Sequence, residues 1–173
     1  MRHLLILLLM LTAMSAEAQQ EQKPTKIYTS NGTTVDSYDF SSFEHLLKTD
    51  SDTTYVVNFW ATWCGPCVVE LPHFEQLRSD YKKSAVKVIL VSLDMPKQVE
   101  SRLIPFIQKK KLLSKVVLLD DPDANSWISK VDKNWSGALP ATLIFSKGQR
   151  RFYERSFTYN ELEKELNQFI TKP

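Results

Sequence analysis

The chain has 173 residues, of which 43% are hydrophobic, four are glycine and two are cysteine. That length and apolar content allow one domain with a packed core, and exclude collagen-like, mucin-like and broadly disordered chains. A formal net charge of +2 gives no strong pull toward nucleic acid or an acidic membrane surface, and two cysteines exclude a disulfide-stapled scaffold, a four-thiolate zinc site and an iron–sulfur cluster.

From the N-terminus, Met1-Arg2-His3 supplies a positive start, and residues 4–14 form an apolar run interrupted only by Thr12. Ala16-Glu17-Ala18 then offers small residues where a signal peptidase reads. This is the layout of a cleavable secretory signal over residues 1–18. The run is well short of the roughly 20 apolar residues of a membrane span; the alternative is an uncleaved anchor, which would leave the protein tethered. The expectation is a periplasmic or otherwise extracytoplasmic protein, with a short linker over residues 19–25 and one domain over residues 26–173.

A short strand is predicted at residues 26–29, followed by the turn signal Asn31-Gly32. Ser41-Ser42-Phe43-Glu44 has the form of a capping box that opens a helix carrying Phe43, Leu46 and Leu47. Residues 55–60 read as a buried strand. From Cys64 the chain turns into a helix with Leu71, Phe74 and Leu77 as its buried stripe and Pro72 as a kink. Residues 86–93 form a second buried strand, 98–111 a helix bent or broken at Pro105, and 115–119 a third strand. Asp121 caps a short helix over 123–131, with Pro122 at its first turn. Strands at 141–145 and 150–155 are joined as a hairpin through 146–149. Thr158-Tyr159-Asn160-Glu161 is another capping box, leading a helix with Leu162, Leu166, Phe169 and Ile170 on one side. The order predicts an α/β fold, a mixed central sheet flanked by helices on both faces, with parallel crossovers first and the antiparallel hairpin last.

Both cysteines fall in Trp63-Cys64-Gly65-Pro66-Cys67, at the junction of a predicted strand and helix. A helix N-terminus leaves backbone N–H groups unpaired and carries partial positive charge, so it favours thiolate at Cys64. A thiolate attacks disulfide sulfur, and Cys67, one turn on, is placed to resolve the mixed disulfide. Pro66 presets a helical φ where no N–H is needed. Gly65 leaves the first sulfur uncovered for a bulky protein substrate, and Trp63 gives the rim an apolar face. Two other readings compete. A metal clip needs two further ligands, and only His45 and His73 remain once the signal is removed. A structural disulfide closing so short a loop adds little stability. The strand–CxxC–helix context favours a redox pair.

The stretch Val56-Val57-Asn58-Phe59-Trp60-Ala61-Thr62-Trp63-Cys64-Gly65-Pro66-Cys67 resembles the active-site segment of the thioredoxin superfamily. Pro72 matches that family's kinking proline, and Leu139-Pro140-Ala141-Thr142-Leu143-Ile144-Phe145 resembles its cis-proline loop and following strand. The resemblance covers most of the mature chain. It implies a thioredoxin-like fold, a cis Leu139–Pro140 peptide beside Cys64, and a Leu139 backbone free to pair with an extended substrate. It also implies protein disulfide or dithiol substrates, and no metal or organic cofactor beyond the Cys64–Cys67 disulfide. Asn58 stands where thioredoxin has a buried aspartate and cannot take up a proton; Ser156 stands where thioredoxins usually have glycine.

The pattern Cys-x-x-Cys-x-x-Glu-Leu-Pro, the secretory signal and an extra helix–strand unit between the second strand and the cis-proline loop resemble the TlpA/ResA-like group. These are extracytoplasmic thiol–disulfide oxidoreductases, several of them reductants in cytochrome c maturation. On that resemblance Glu70, three residues after Cys67, is the candidate general acid/base for Cys67; the alternative is a solvated glutamate on the helix surface. Gly-Pro between the cysteines matches reducing thioredoxins, so a reductase recharged by a membrane electron donor is expected. A disulfide oxidase or isomerase, or a non-catalytic binding module of the same fold, stays open.

The remaining singled-out residues have plainer roles. Trp60 is read as core, and Trp127 and Trp135 as packing rather than a groove. His73 is read as exposed or locally bonded. Asp120-Asp121-Pro122-Asp123 is a helix cap rather than a calcium loop. Lys109-Lys110-Lys111 and Arg150-Arg151 are solvated faces, not a nucleic-acid patch.

Overall fold

A computed structural model describes residues 23–170. The predicted signal peptide and residues 19–22 of the predicted linker lie outside the described residues. The chain first makes a hairpin, β1 (Lys26–Ser30) and β2 (Thr33–Tyr38). Its two-residue turn has Asn31 at φ 47° and Gly32 at φ 75°, the left-handed pair that a tight hairpin requires. β2 is absent from the sequence reading because Thr33-Thr34-Val35-Asp36-Ser37-Tyr38 has no apolar run, yet Val35, Ser37 and Tyr38 are buried.

A short helix α1 (Phe40–Phe43) follows and passes into a 3₁₀ turn, Glu44–Leu47. Its cap is Asp39, whose carboxylate accepts from the Ser42 N–H at 2.8 Å. The capping box expected at Ser41–Glu44 is therefore two residues late: Asp39 bonds the third residue onward and takes the N-cap itself. Next come β3 (Thr54–Trp60), the long helix α2 (Gly65–Asp80) and β4 (Val86–Ser92). Residues 96–110 wind in three pitches, a 3₁₀ turn (Pro96–Gln98), a π turn (Val99–Leu103) and α3 (Ile104–Lys110). Pro105 has no N–H to offer the Ser101 carbonyl, and the Ile104 N–H reaches five residues back to Val99.

β5 (Lys115–Leu119) precedes α4 (Ala124–Val131). Asp121 does not cap α4. Its carboxylate accepts from the N–H groups of Phe40 and Asp123, each at 3.1 Å, and so pins α1 to the start of α4, while Pro122 stays outside the helix. β6 (Ala141–Ser146) and β7 (Gln149–Tyr153) form a hairpin whose turn has Gly148 at φ 74°. The last helix, α5 (Tyr159–Leu166), begins with the expected Thr158/Glu161 capping box.

Among the described residues seven strands form one sheet in the order β1-β2-β5-β4-β3-β6-β7. β2/β5, β5/β4 and β4/β3 are parallel; β1/β2, β3/β6 and β6/β7 are antiparallel. Successive strand residues point to opposite faces, and the two faces bury different sets. Val56, Trp60, Leu90, Leu118 and Ile144 pack with Leu71, Phe74 and Leu77 of α2, Ile104 of α3 and Leu162 of α5. Val57, Phe59, Val91, Val117 and Leu143 pack with Phe43 of α1 and Trp127 of α4. The α/β architecture with helices on both faces is as the sequence indicates.

Candidate active site

β3 ends at Trp60, and residues 61–63 carry the chain to Cys64, the N-cap of α2. The Cys64 N–H donates to the Ala61 carbonyl at 3.1 Å, and the Val68 N–H donates to the Cys64 carbonyl at 3.1 Å. Cys64 Sγ accepts from the Cys67 N–H at 3.3 Å, so an unpaired donor of the helix end points at this sulfur. The two cysteines form a disulfide. They differ in access: Cys64 is 6% exposed and Cys67 is completely buried. Of the two, Cys64 is the one that keeps any exposure, so its sulfur is taken as the outer one.

Three large apolar side chains are exposed on the loop before α2, on α2 itself and on the segment beyond β4. Trp63 is 55% exposed, Val69 on the first turns of α2 is 74% exposed, and Met95 beyond β4 is 65% exposed. Gly65 and Pro66 are exposed between them. Leu139–Pro140 is a cis peptide, with Pro140 buried and Leu139 half-buried. Ala141 pairs with Phe59 in the antiparallel β3/β6 register, so Pro140 comes level with the end of β3, where the loop to Cys64 begins.

Glu70 is not the solvated surface glutamate considered as the alternative. It is 1% exposed, one turn beyond Cys67 on the buried side of α2. Its Oε1 accepts from Asn58 Nδ2 at 2.9 Å and its Oε2 from the Phe157 N–H at 2.8 Å. Asn58 Nδ2 also lies 3.2 Å from Thr142 Oγ1. Burial pushes the Glu70 carboxyl up to about 7, against the opposing pull of the Phe157 N–H, the Asn58 amide and the Arg155 charge. A carboxyl that changes protonation near neutral pH, one turn from a buried cysteine, is suited to exchange a proton with it. The position is readable from sequence: Cys67, Glu70, Leu71, Phe74 and Leu77 follow one helical stripe, and the burial of Leu71 and Phe74 draws Glu70 inward with them.

Three supporting residues are not visible in the sequence. Asp94 is buried and accepts from the Thr62 N–H at 3.0 Å, the Thr62 hydroxyl and the Ser92 hydroxyl at 2.8 Å. It fastens the loop before Cys64 to the end of β4. Glu154 accepts from the N–H groups of Ser136 and Ala138, each at 3.1 Å, and from the Ser136 hydroxyl, fixing the loop that leads into Leu139–Pro140. Phe157 lends its amide to Glu70 from 87 residues away. Trp60 is buried core, as read; Trp127 and Trp135 are buried in the opposite face, and half-buried His73 lies outside these contacts. Among the described residues no group of three or more His, Cys, Asp or Glu side chains converges where a metal ion could sit.

The sequence model described as AhpC/TSA family matches residues 25–150. The thiol-disulfide oxidoreductase ResA of Halalkalibacterium halodurans is 29% identical over 91 residues, 53% of this chain and 47% of that protein. Two other ResA proteins are matched over 20% and 34% of their length, so the matched segments span less than half of these curated relatives. The crystal structure of StoA from Bacillus subtilis superposes with a TM-score of 0.52 at 22% identity, over 66% of this chain and 83% of that one. A secreted disulfide oxidoreductase of Mycobacterium tuberculosis, homologous to E. coli DsbE, gives 0.54 at 18% identity over 87% and 99%. At these identities the structural likeness concerns the fold, which is thioredoxin-like.

Proposed function

The chain belongs to the AhpC/TSA family, and on that premise we propose that it is an extracytoplasmic thiol–disulfide oxidoreductase that reduces protein disulfides through Cys64 and Cys67. The observation that carries this reading is the asymmetry of the pair: a cysteine that keeps some exposure at a helix N-terminus, and a completely buried one a turn away from a buried carboxyl.

In the reduced protein, Cys64 thiolate attacks one sulfur of a substrate disulfide. A Cys64–substrate bond forms, the substrate S–S bond breaks, and the released thiolate takes a proton from water. Glu70 carboxylate then accepts the Cys67 proton. The Cys67 thiolate attacks Cys64 Sγ, closing the intramolecular disulfide and releasing the second substrate thiolate, which is protonated in turn. Two electrons pass from the cysteine pair to the substrate. The pair is its own redox group, so the cycle calls for no metal and no organic cofactor. Trp63, Val69 and Met95 offer the substrate an apolar seat, Gly65 and Pro66 leave the outer sulfur open, and Leu139 beside Pro140 offers backbone to an extended segment.

The resemblance to reductants of cytochrome c maturation supports the reducing direction, with a membrane electron donor returning the pair to the dithiol. Export by the predicted signal at residues 1–18 is part of the same proposal. The test is reduction of insulin by wild type and by Cys64→Ser, together with the reduction potential of the pair. Loss of activity in the variant and a potential well below that of strong oxidants are expected. Equal activity in both proteins would overturn the enzymatic reading, and a strongly oxidising potential would reverse the direction.

A further inference from the structure

Between β7 and α5 the chain crosses in five residues, 154–158, the last of them the helix cap Thr158. Glu154 is tied to the Ser136 and Ala138 amides, and the Phe157 N–H is tied to Glu70. Between them Arg155 is exposed, but its head is held. The guanidinium lies 4.0 Å from the centre of the Phe157 ring, and Nη1 donates to Glu161 Oε1 and to the Ser156 carbonyl, each at 3.1 Å. Glu161 is itself fixed, because its Oε2 accepts from Thr158 N–H and Oγ1 at 2.9 and 2.7 Å in the capping box of α5. An exposed ion pair of this kind adds little stability. A guanidinium laid over a ring and bonded through Nη1 to a fixed carboxylate and a backbone carbonyl does, however, keep one position.

That position is over the residue whose amide holds Glu70. The Phe157 residue is buried in the same core as Cys64 and Cys67, so the exposed Arg155 lies against the ring of the residue whose backbone amide holds Glu70. The groups that act on Glu70 are Asn58 on β3 with the Thr142 hydroxyl of β6 behind it, and the Phe157 amide and Arg155 on the crossing, with Cys67 one turn back on its own helix. Of these only Arg155 carries a full charge.

We propose that Arg155 is a positioning residue for the proton step: its charge, laid on the Phe157 ring and partly offset by Glu161, modulates how readily the buried Glu70 accepts the Cys67 proton. The inference rests on Glu70 being that acceptor. It gives opposite signs for two substitutions that break the same ion pair. In Arg155→Gln the positive charge is lost and Glu70 holds its proton to higher pH. In Glu161→Gln the offsetting negative charge is lost and Glu70 gives up its proton at lower pH, while glutamine still fits the capping box. A purely structural role for the pair would move both variants the same way.

The experiment is carbon-13 NMR titration of the glutamate side-chain carboxyls in the oxidised protein, with Glu70 identified by the signal lost in Glu70→Gln. The midpoint should rise by on the order of 0.5 pH unit in Arg155→Gln, fall in Glu161→Gln, and stay close to wild type in Arg155→Lys. Rate–pH profiles for disulfide reduction should shift in the same order. Midpoints that stay put, or that move in one direction for both Gln variants, would overturn the role of Arg155. Undiminished reduction at pH 7 by Glu70→Gln would instead overturn Glu70 as acceptor, whatever the midpoints do.

Discussion

The two faces of the sheet are built from alternate residues of the same strands, yet they hold different kinds of interior. On the α1/α4 side the packing is aromatic: Phe59 and Trp135 have ring centres 4.8 Å apart, Trp127 and Trp135 5.6 Å, and Phe40 stacks on Trp127 at 5.9 Å. The indole N–H groups there find carbonyls, Trp127 that of Asp121 at 3.3 Å and Trp135 that of Ala138 at 2.9 Å. On the α2 side the same stretch of β3 presents Asn58 and Trp60. There a carboxyl is buried, and Asn58 Oδ1 and Trp60 Nε1 have no hydrogen-bond partner among the described residues. One face is closed and satisfied; the other carries polar groups at a cost to stability, on the side where the cysteines sit.

The contrast can be broken from either side. Phe59→Ala removes a ring at the centre of the aromatic face and should cost about 3–5 kcal/mol in urea unfolding, while the pH at which Glu70 titrates in the folded protein stays put. A shift in that midpoint as large as the one expected for Arg155→Gln would show that the faces are not independent.

Glu70→Gln tests the opposite face. The wild-type carboxyl is raised from an ordinary 4.5 to about 7 by folding, so the folded state binds the proton more tightly than the unfolded one. Stability tied to that proton is fully present below about pH 4.5 and is lost as pH rises through about 7. Glutamine does not titrate. Between pH 4 and pH 8, unfolding free energies should therefore shift in favour of the variant by on the order of 3 kcal/mol. A pH-independent difference would mean that the buried carboxyl carries no such penalty.

Glu154→Gln is the gentlest probe, since it loosens only the loop before Pro140. KM for a protein disulfide should rise about threefold with kcat little changed. An equal fall in kcat would place the effect in the chemical step instead.

What could be read from the sequence divides along similar lines. Cys64, Cys67, Pro72 and the Thr158/Glu161 cap are legible because their meaning lies within one or two helical turns. Glu70 was half legible: the spacing from Cys67 to Phe74 puts it in the buried stripe, but its partners come from β3 and from Phe157, far along the chain. Asp94 and Glu154 were not legible at all. Each is an ordinary acidic residue just beyond a strand, and its role exists only once a distant loop folds onto it. The cap at Asp39 is masked in the sequence because Ser41 and Glu44 offer the same chemistry in a more familiar spacing. β2 was missed because a strand can be buried by its neighbours without being apolar.

Gly65 invites the opposite expectation, that a glycine between two reactive cysteines is there by necessity. Its φ does not lie in the left-handed region, and a Cβ built on it meets nothing within 4 Å. The backbone there has no need of glycine, and neither does the packing. Position 65 is thus a free dial beside the outer sulfur: a side chain placed there changes what approaches Cys64 and the field that Cys64 feels, and leaves the scaffold as it was. A new side chain at position 65 would alter the approach to Cys64 without first requiring a different scaffold.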